Sequence, residues 1–288
     1  MSQSLESVLA LQGEARLEAL VRLADDLTQA ADAGEMPPVS AMVEALLDVI
    51  ESGEGPSKLR MAAGEALGRL GDPRILGPEH PDYWVRVELD MGTVEVGRFP
   101  VTISEWQSWI GEGGYEKDEH WSEEALAWRD SAKRLWPELA ARDSVRHLVI
   151  RNQPVVGVSW HEARAYAERH GGRLLTFGER MQVARGDEKR PYPWGAPFGS
   201  GNANTREEVL GKPCAVGLFR SDCTQDGIYD LAGNVAEWTA DRVDDACVVH
   251  PGSWEQPSMA SWAKARELES ARTRGADLGF RIARDVED

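Results

Sequence analysis

Aromatic residues are missing from the first 78 positions, and so is histidine, whose first occurrence is His80. Cysteine is scarce throughout. Cys214, Cys223 and Cys247 are an odd number without CxxC spacing, which argues against a disulfide framework or a zinc site and leaves reduced, buried thiols as the expectation. Long apolar runs are lacking too. No window approaches the roughly eighteen apolar residues of a membrane span, and the N-terminus has no basic, apolar, small-residue pattern of a secretory leader. The expected location is cytoplasmic, with no membrane partner. Positive charge is the last shortage: 32 basic against 49 acidic residues give a net charge of −17. That balance repels a phosphate backbone, so direct binding of nucleic acid is not expected.

What the first segment does contain is leucine, alanine and valine at spacings of three and four. "EARLEALVRLADDLTQAADA", "VSAMVEALLDVIES" and "KLRMAAGEALGRLG" read as amphipathic helices, separated by Gly34 with Pro37-Pro38, by "SGEGPS" and by "GDPR". Short connections imply an antiparallel stack. "AAGEALGRLGDPRI", residues 62–75, resembles the second helix and exit turn of a HEAT-type repeat, and with too few repeats to close its own core the segment is expected to lean on the remainder of the chain. From "EHPDYWVRVELD" onward the texture inverts. All eleven tryptophans lie between Trp84 and Trp262. The expected division is a helical domain over 1–78 and a second domain over 79–288, with an α+β fold overall. In the second, "YWVRVELDMGTVEVGRFPVT" alternates as a strand pair turning at Met91-Gly92, and "SWHEARAYAERHGG" is a helix begun by Ser159 and stopped by Gly171-Gly172.

Six segments, in order, then resemble one family. "GRFPVTISEWQSWI", "PVVGVSWHEARAYAERHGGRLLTFGERMQVARG", "YPWGAPFGSGNANTRE", "GIYDLAGNVAEWTAD", "HPGSWEQPS" and "DLGFRIAR" are similar to the formylglycine-generating enzyme, or sulfatase-modifying factor, family. The resemblance covers roughly residues 82–284. It implies an irregular, loop-rich, C-type-lectin-like fold behind the helical segment. It also implies a calcium ion enclosed by "DLAGNVAE", with Asp230 and Glu237 contributing side chains and Gly233 and Val235 contributing carbonyls. A hard cation wants six to eight oxygens, and a tight glycine turn brings carbonyls inward. The alternative is a purely structural turn in which Glu237 caps amides or pairs with an arginine. A second implied calcium site would use Asn204 and the Thr205 carbonyl, although "REEVLGK" follows where the family supplies an aspartate.

Enzymes of this family oxidise a substrate cysteine at a copper ion held by two thiolates, and soft Cu(I) demands sulfur. By resemblance those cysteines stand three and eight residues after the serine of the Gly-Ser-aromatic motif, here Ser253. The two positions carry Gln256 and Ser261. Related sulfoxide synthases hold iron through histidines, some on an N-terminal helical bundle. His80, His120, His147, His161, His170 and His250 show no HxxxH or HxH grouping. Neither copper nor iron is therefore expected, and the chain reads as a pseudoenzyme. His161 beside Glu162 reads as a solvated helix face rather than an acid/base pair. Ser159 and Ser253 lack a nucleophile elbow, and the glycines match no nucleotide loop. The tryptophans at 106, 109, 121, 128 and 136 are expected in the core. The 112–138 stretch reads as a packed insertion or a site of regulated cleavage.

Three functions remain. The first is a non-catalytic scaffold that binds another protein in a bacterial signalling or defence system linked to a protease. The others are an oxygenase with an unrecognised metal site and a lectin-like binder of glycans or small molecules. For the first, residues 253–278 form the binding face around Ser253, Gln256, Ser258 and Ser261. Trp254 and Trp262 are candidate anchors, with Trp262 favoured should Trp254 be core, and Arg266, Arg272 and Arg274 supply local positive charge for an acidic partner.

Overall fold

The computed structural model describes residues 4–32, 39–132, 135–136 and 149–286. His147, the Gly34 and Pro37-Pro38 punctuation and the Pro137-Glu138 end of the 112–138 stretch lie outside these residues.

Four helices open the chain: α1 (Leu5–Leu9), α2 (Gly13–Asp32), α3 (Ser40–Ser52) and α4 (Ser57–Leu70). α4 packs against both α2 and α3, burying Met61, Ala63, Ala66 and Leu67. The stack does lean on the later part of the chain, since Leu20, Leu46, Ile50 and Leu67 share one hydrophobic core with Cys214, Leu218 and Phe219. The change of sequence texture near residue 78 is thus not a break in packing. Arg60 fastens the joint: its Nη1 donates to the Leu218 carbonyl at 2.8 Å, and its guanidinium lies 5.1 Å from the centre of the Phe219 ring.

Close approach at this joint explains two glycines within α4, since a Cβ on Gly64 would stand 2.8 Å from the Ala215 Cβ. Asn152 donates its Nδ2 to the Gly64 carbonyl at 2.9 Å, and a Cβ on Gly68 would stand 2.2 Å from Asn152 Oδ1 and 2.8 Å from Ile150 Cγ2. Gly68→Ala is therefore expected to destabilise the protein by about 2 kcal/mol despite alanine's better helix propensity, because overpacking outweighs it. A urea titration that shows a higher midpoint for the variant would refute this.

Strands β1 (Trp84–Leu89) and β2 (Gly92–Gly97) form the expected hairpin, with Trp84 opposite Gly97 and Leu89 opposite Gly92. Six more strands follow: β3 (Arg173–Leu174), β4 (Ala236–Val243), β5 (Ala246–His250), β6 (Glu267–Ser270), β7 (Leu278–Phe280) and β8 (Ile282–Asp285). They make two sheets. One runs β1-β2-β8-β3 and is wholly antiparallel, and the other runs β6-β5-β4-β7, with β4 parallel to β7. Only Arg281 separates β7 from β8, so this residue marks the point where the chain leaves one sheet for the other.

Helices α5 (Ile103–Gly111), α7 (Trp160–Arg169) and α8 (Phe177–Arg185), with α6 (Glu123–Ser131) between the first two, complete the second part. α5, α7 and α8 each begin with a capping box, Thr102 with Glu105, Ser159 with Glu162 and Thr176 with Glu179, which satisfies amides at their first turns. The five tryptophans expected in the core are all buried, and Trp106 and Trp109 lie 4.5 Å apart by ring centroid. Within 112–138, the described part is packed: Trp121 and Trp128 stack at 6.3 Å. His161 and Glu162 correct the sequence expectation. They are 2% and 0% exposed, not solvated, because α7 is wrapped by the aromatic cluster and His161 lies against Trp128 at 5.4 Å.

Candidate functional site

Residues 230–234 form a tight turn leading directly into β4. Its ends are left-handed without glycine, Asp230 at φ 58° and Asn234 at φ 69°. A conformation of that kind persists only where neighbours over-determine it. Here they do. The buried Asp222 carboxylate accepts N–H bonds from Leu231, Ala232 and Gly233 at 2.9 to 3.0 Å. Asp230 Oδ2 accepts from the Gly217 amide at 2.8 Å, and Asn234 Oδ1 accepts from the Cys214 amide at 2.9 Å. Gly233 has no room for a side chain, since a Cβ would meet the Asn204 carbonyl at 2.6 Å.

Glu237 points from β4 into the protein between two arginines. Arg180 Nε of α8 donates to its Oε2 at 2.5 Å, and Arg281 Nη2 donates to its Oε1 at 3.0 Å. All three side chains are buried. The paired guanidiniums hold Glu237 below the usual carboxylate range despite its burial. Burial together with the like charge of Asp230 pushes the Asp222 carboxyl up to about 7, and burial pushes Asp230 up to about 6.

The four residues expected around calcium are thus adjacent, and three of them are committed to other partners. Asp230 is engaged with Gly217, the Gly233 carbonyl accepts the Val235 amide at 2.9 Å, and Glu237 is shared by two cations. This donor set does not fit a hard ion, and the structural-turn alternative, in which Glu237 pairs with arginine, describes the geometry. At the second implied site, Asn204 Oδ1 is buried with no partner among the described residues, while the Thr205 carbonyl accepts the Glu208 amide. Thr205 Oγ1 is likewise buried without a partner there, and two uncommitted oxygens fall well short of a calcium shell. Among the described residues, no group of three or more His, Cys, Asp or Glu side chains is placed to hold a metal.

The 253–278 segment borders the 230–234 turn: the Trp254 amide donates to the Asn234 carbonyl at 3.1 Å, and the Asp277 carbonyl accepts the Ala236 amide at 2.7 Å. Ser253 donates its hydroxyl to Asp277 at 2.7 Å, and Ser261 is buried in a 3-10 turn over Ser258–Ser261. Gln256 is half-buried, and its carbonyl accepts the Arg206 amide, tying the segment to the 204–208 loop. Trp254 is half-buried, whereas Trp262 is 48% exposed beside Met259 at 77%. Arg266 and Arg272 are exposed. Arg274 departs from expectation. Its Nε and Nη2 reach the buried Glu162 at 3.0 and 2.9 Å, and it lies over Trp128, because the loop before β7 folds back onto α7. Sequence reasoning missed Asp222 and Arg180 altogether. The helix "FGERMQVAR" carries two arginines, Arg180 and Arg185, and nothing local singles out Arg180.

Two small sheets, short helices and long connections held by packed indoles define a protein of the formylglycine-generating-enzyme fold. PvdO from Pseudomonas aeruginosa shares it, with a TM-score of 0.52 and 23% identity over 68% of this chain and 81% of that one. The sulfatase-modifying factor enzyme 1-like domain matches residues 53–286, and the chain belongs to that family. The match begins ahead of α4, in keeping with the shared core of the two parts.

Among curated relatives, Hercynine oxygenase of Mycolicibacterium smegmatis is 30% identical over 181 residues, and that of Mycolicibacterium thermoresistibile is 33% identical over the same length. Each match covers 59% of this chain but only 41% and 39% of those proteins. Inactive C-alpha-formylglycine-generating enzyme 2 of Bos taurus is 29% identical over 68% of this chain and 78% of that protein. These relatives overturn the expectation of a pseudoenzyme. Gln256 and Ser261 bear on copper thiolate ligation alone, and relatives named as oxygenases leave non-enzyme status without support.

Proposed function

We propose that this member of the family acts as a protein-recognition and regulatory module whose binding face is built on residues 253–278. One observation carries it: Trp262 and Met259 are large apolar side chains held out to solvent on a segment otherwise fixed by Ser253 and, through Gln256 and Ser258, by the 204–208 loop. Exposed aromatics on a rigid support lose little entropy on binding and dominate interface energies. Arg266 and Arg272, exposed at the two ends of β6 on the same segment, favour an acidic partner, locally opposing the net charge of −17. Capture of a stoichiometric partner from native lysate, followed by titration with Trp262→Ala, tests it. The expected loss in affinity is at least tenfold, about 1.4 kcal/mol. Unchanged affinity would place the face elsewhere.

An oxygenase is the second function to carry forward, favoured by the relatives named Hercynine oxygenase over 59% of the chain. Its test is elemental analysis of protein from aerobic cells, joined to oxygen uptake in the presence of a cysteine-containing peptide or hercynine. Copper or iron near one equivalent with substrate-dependent uptake would establish it in place of the recognition module.

A further inference from the structure

We infer that Arg180 is a built-in cation for the turn at 230–237, doing with a covalently attached guanidinium what a free divalent ion would do at a carboxylate and carbonyl cluster. This role of Arg180 does not depend on the recognition face at 253–278.

The geometry is specific. Arg180 enters from α8, whose start is fixed by the Thr176 and Glu179 capping box and by the Phe177 amide donating to Asp241. From there Nε meets Glu237 Oε2, and Nη2 continues to the Leu231 carbonyl at 2.8 Å. Arg281 takes the other carboxylate oxygen and reaches the Tyr229 carbonyl at 2.6 Å and the Gly97 carbonyl at 2.8 Å. Together, with a longer contact from Arg281 to the Asp230 carbonyl at 3.5 Å, the two guanidiniums gather one carboxylate and four backbone carbonyls. These are the oxygen types that a hard cation selects. A guanidinium suits the task because it is always charged, planar and less strongly hydrated than an ammonium.

Charge then decides between arginine and ion. Glu237 already faces two positive charges at contact distance, inside a region with almost no solvent. A divalent ion at the same carboxylate would have to displace a guanidinium that has no route to water, or sit against it unscreened. The turn is consequently stabilised without any soluble component, and its integrity is independent of the calcium concentration around the protein.

Thermal unfolding of the full chain in EDTA and in millimolar calcium chloride tests this. Equal melting temperatures are expected. A fall in EDTA of more than roughly 3 °C that calcium reverses would overturn the inference, since a ligand bound only to the folded state must shift its stability. This arm uses the wild-type chain. In the second arm, Arg180→Met is expected to lower the melting temperature by roughly 10 °C, and a value equal to wild type would overturn the inference. Should Arg180→Met fail to fold, Arg180→Lys decides. It keeps a charge but lacks the planar fork, so a melting temperature below wild type supports the assignment and an unchanged one overturns it.

Discussion

An Asp222→Asn protein will melt roughly 8 °C below the wild type, although the substitution preserves side-chain size. Asp222 accepts the amides of three consecutive residues, Leu231, Ala232 and Gly233, with both oxygens in use. An amide nitrogen, unlike the hydroxyl oxygen of the protonated acid, has no lone pair to offer, so at least one buried N–H is left facing another. Each such group costs about 1–3 kcal/mol, and the left-handed residues at either end of the turn lose the support that fixes them.

The same residue sets a pH dependence whose sign can be worked out. Asp222 lies near 7 and Asp230 near 6 in the folded protein, against an ordinary value of 3.8. Between the ordinary and the folded values the native state holds more protons than the unfolded chain, so stability falls as pH rises. The contribution is complete below 3.8 and is lost as pH climbs through 6 and 7. Glu237 is shifted the other way, and its contribution is lost only on acidification below the usual carboxylate range. His161, His170 and His250 are shifted down by burial and raise stability with pH over the same window, so the comparison with the variant isolates Asp222. Between about pH 5 and 8 the stability of the wild type relative to Asp222→Asn should fall as pH rises, and a constant difference would contradict the assignment.

The second large effect concerns Glu162. Its carboxylate accepts the Tyr115 hydroxyl at 2.6 Å, the Ser159 amide and hydroxyl at 2.8 Å, and two donors of Arg274. One fully buried side chain thus caps α7, anchors the aromatic cluster and pins the loop before β7. Glu162→Ala is expected to cost about 4 kcal/mol, because the Arg274 guanidinium and the tyrosine hydroxyl lose the carboxylate to which they were paired. A double-mutant cycle with Arg274→Gln should show a coupling of about 2 kcal/mol. Additive effects would mean that the charge pair contributes nothing beyond the cap. The same contact removes Arg274 from the positive charge available to a partner and leaves Arg266 and Arg272.

Local patterns were legible in the sequence where a single element decides the outcome. Ser159 with a carboxylate three residues on specified the start of α7, and alternation over 84–97 specified a hairpin. Six ordered motifs specified the family. The roles of Asp222, Arg180 and Arg281 were not legible, because each acts at long sequence separation. Arg180 and Glu237 are 57 residues apart and meet only after both the α8 cap and β4 are in place. His161 was misjudged for a related reason. Periodicity assigns a helix one buried face, whereas α7 is enclosed by indoles on elements that a local window does not include.

The crossover at Arg281 has a consequence for the order in which the chain can fold as it is made. β8 is hydrogen-bonded between β2 and β3, although it is synthesised about 190 residues after the first and 110 after the second. Arg281, one residue earlier, completes the neutralisation of Glu237 in the other sheet. Neither sheet can reach its final pairing while residues 278–285 remain in the ribosomal tunnel. The hairpin of β1 and β2 must wait with an open edge, and a nascent chain stalled just short of that point would be the form most in need of a chaperone.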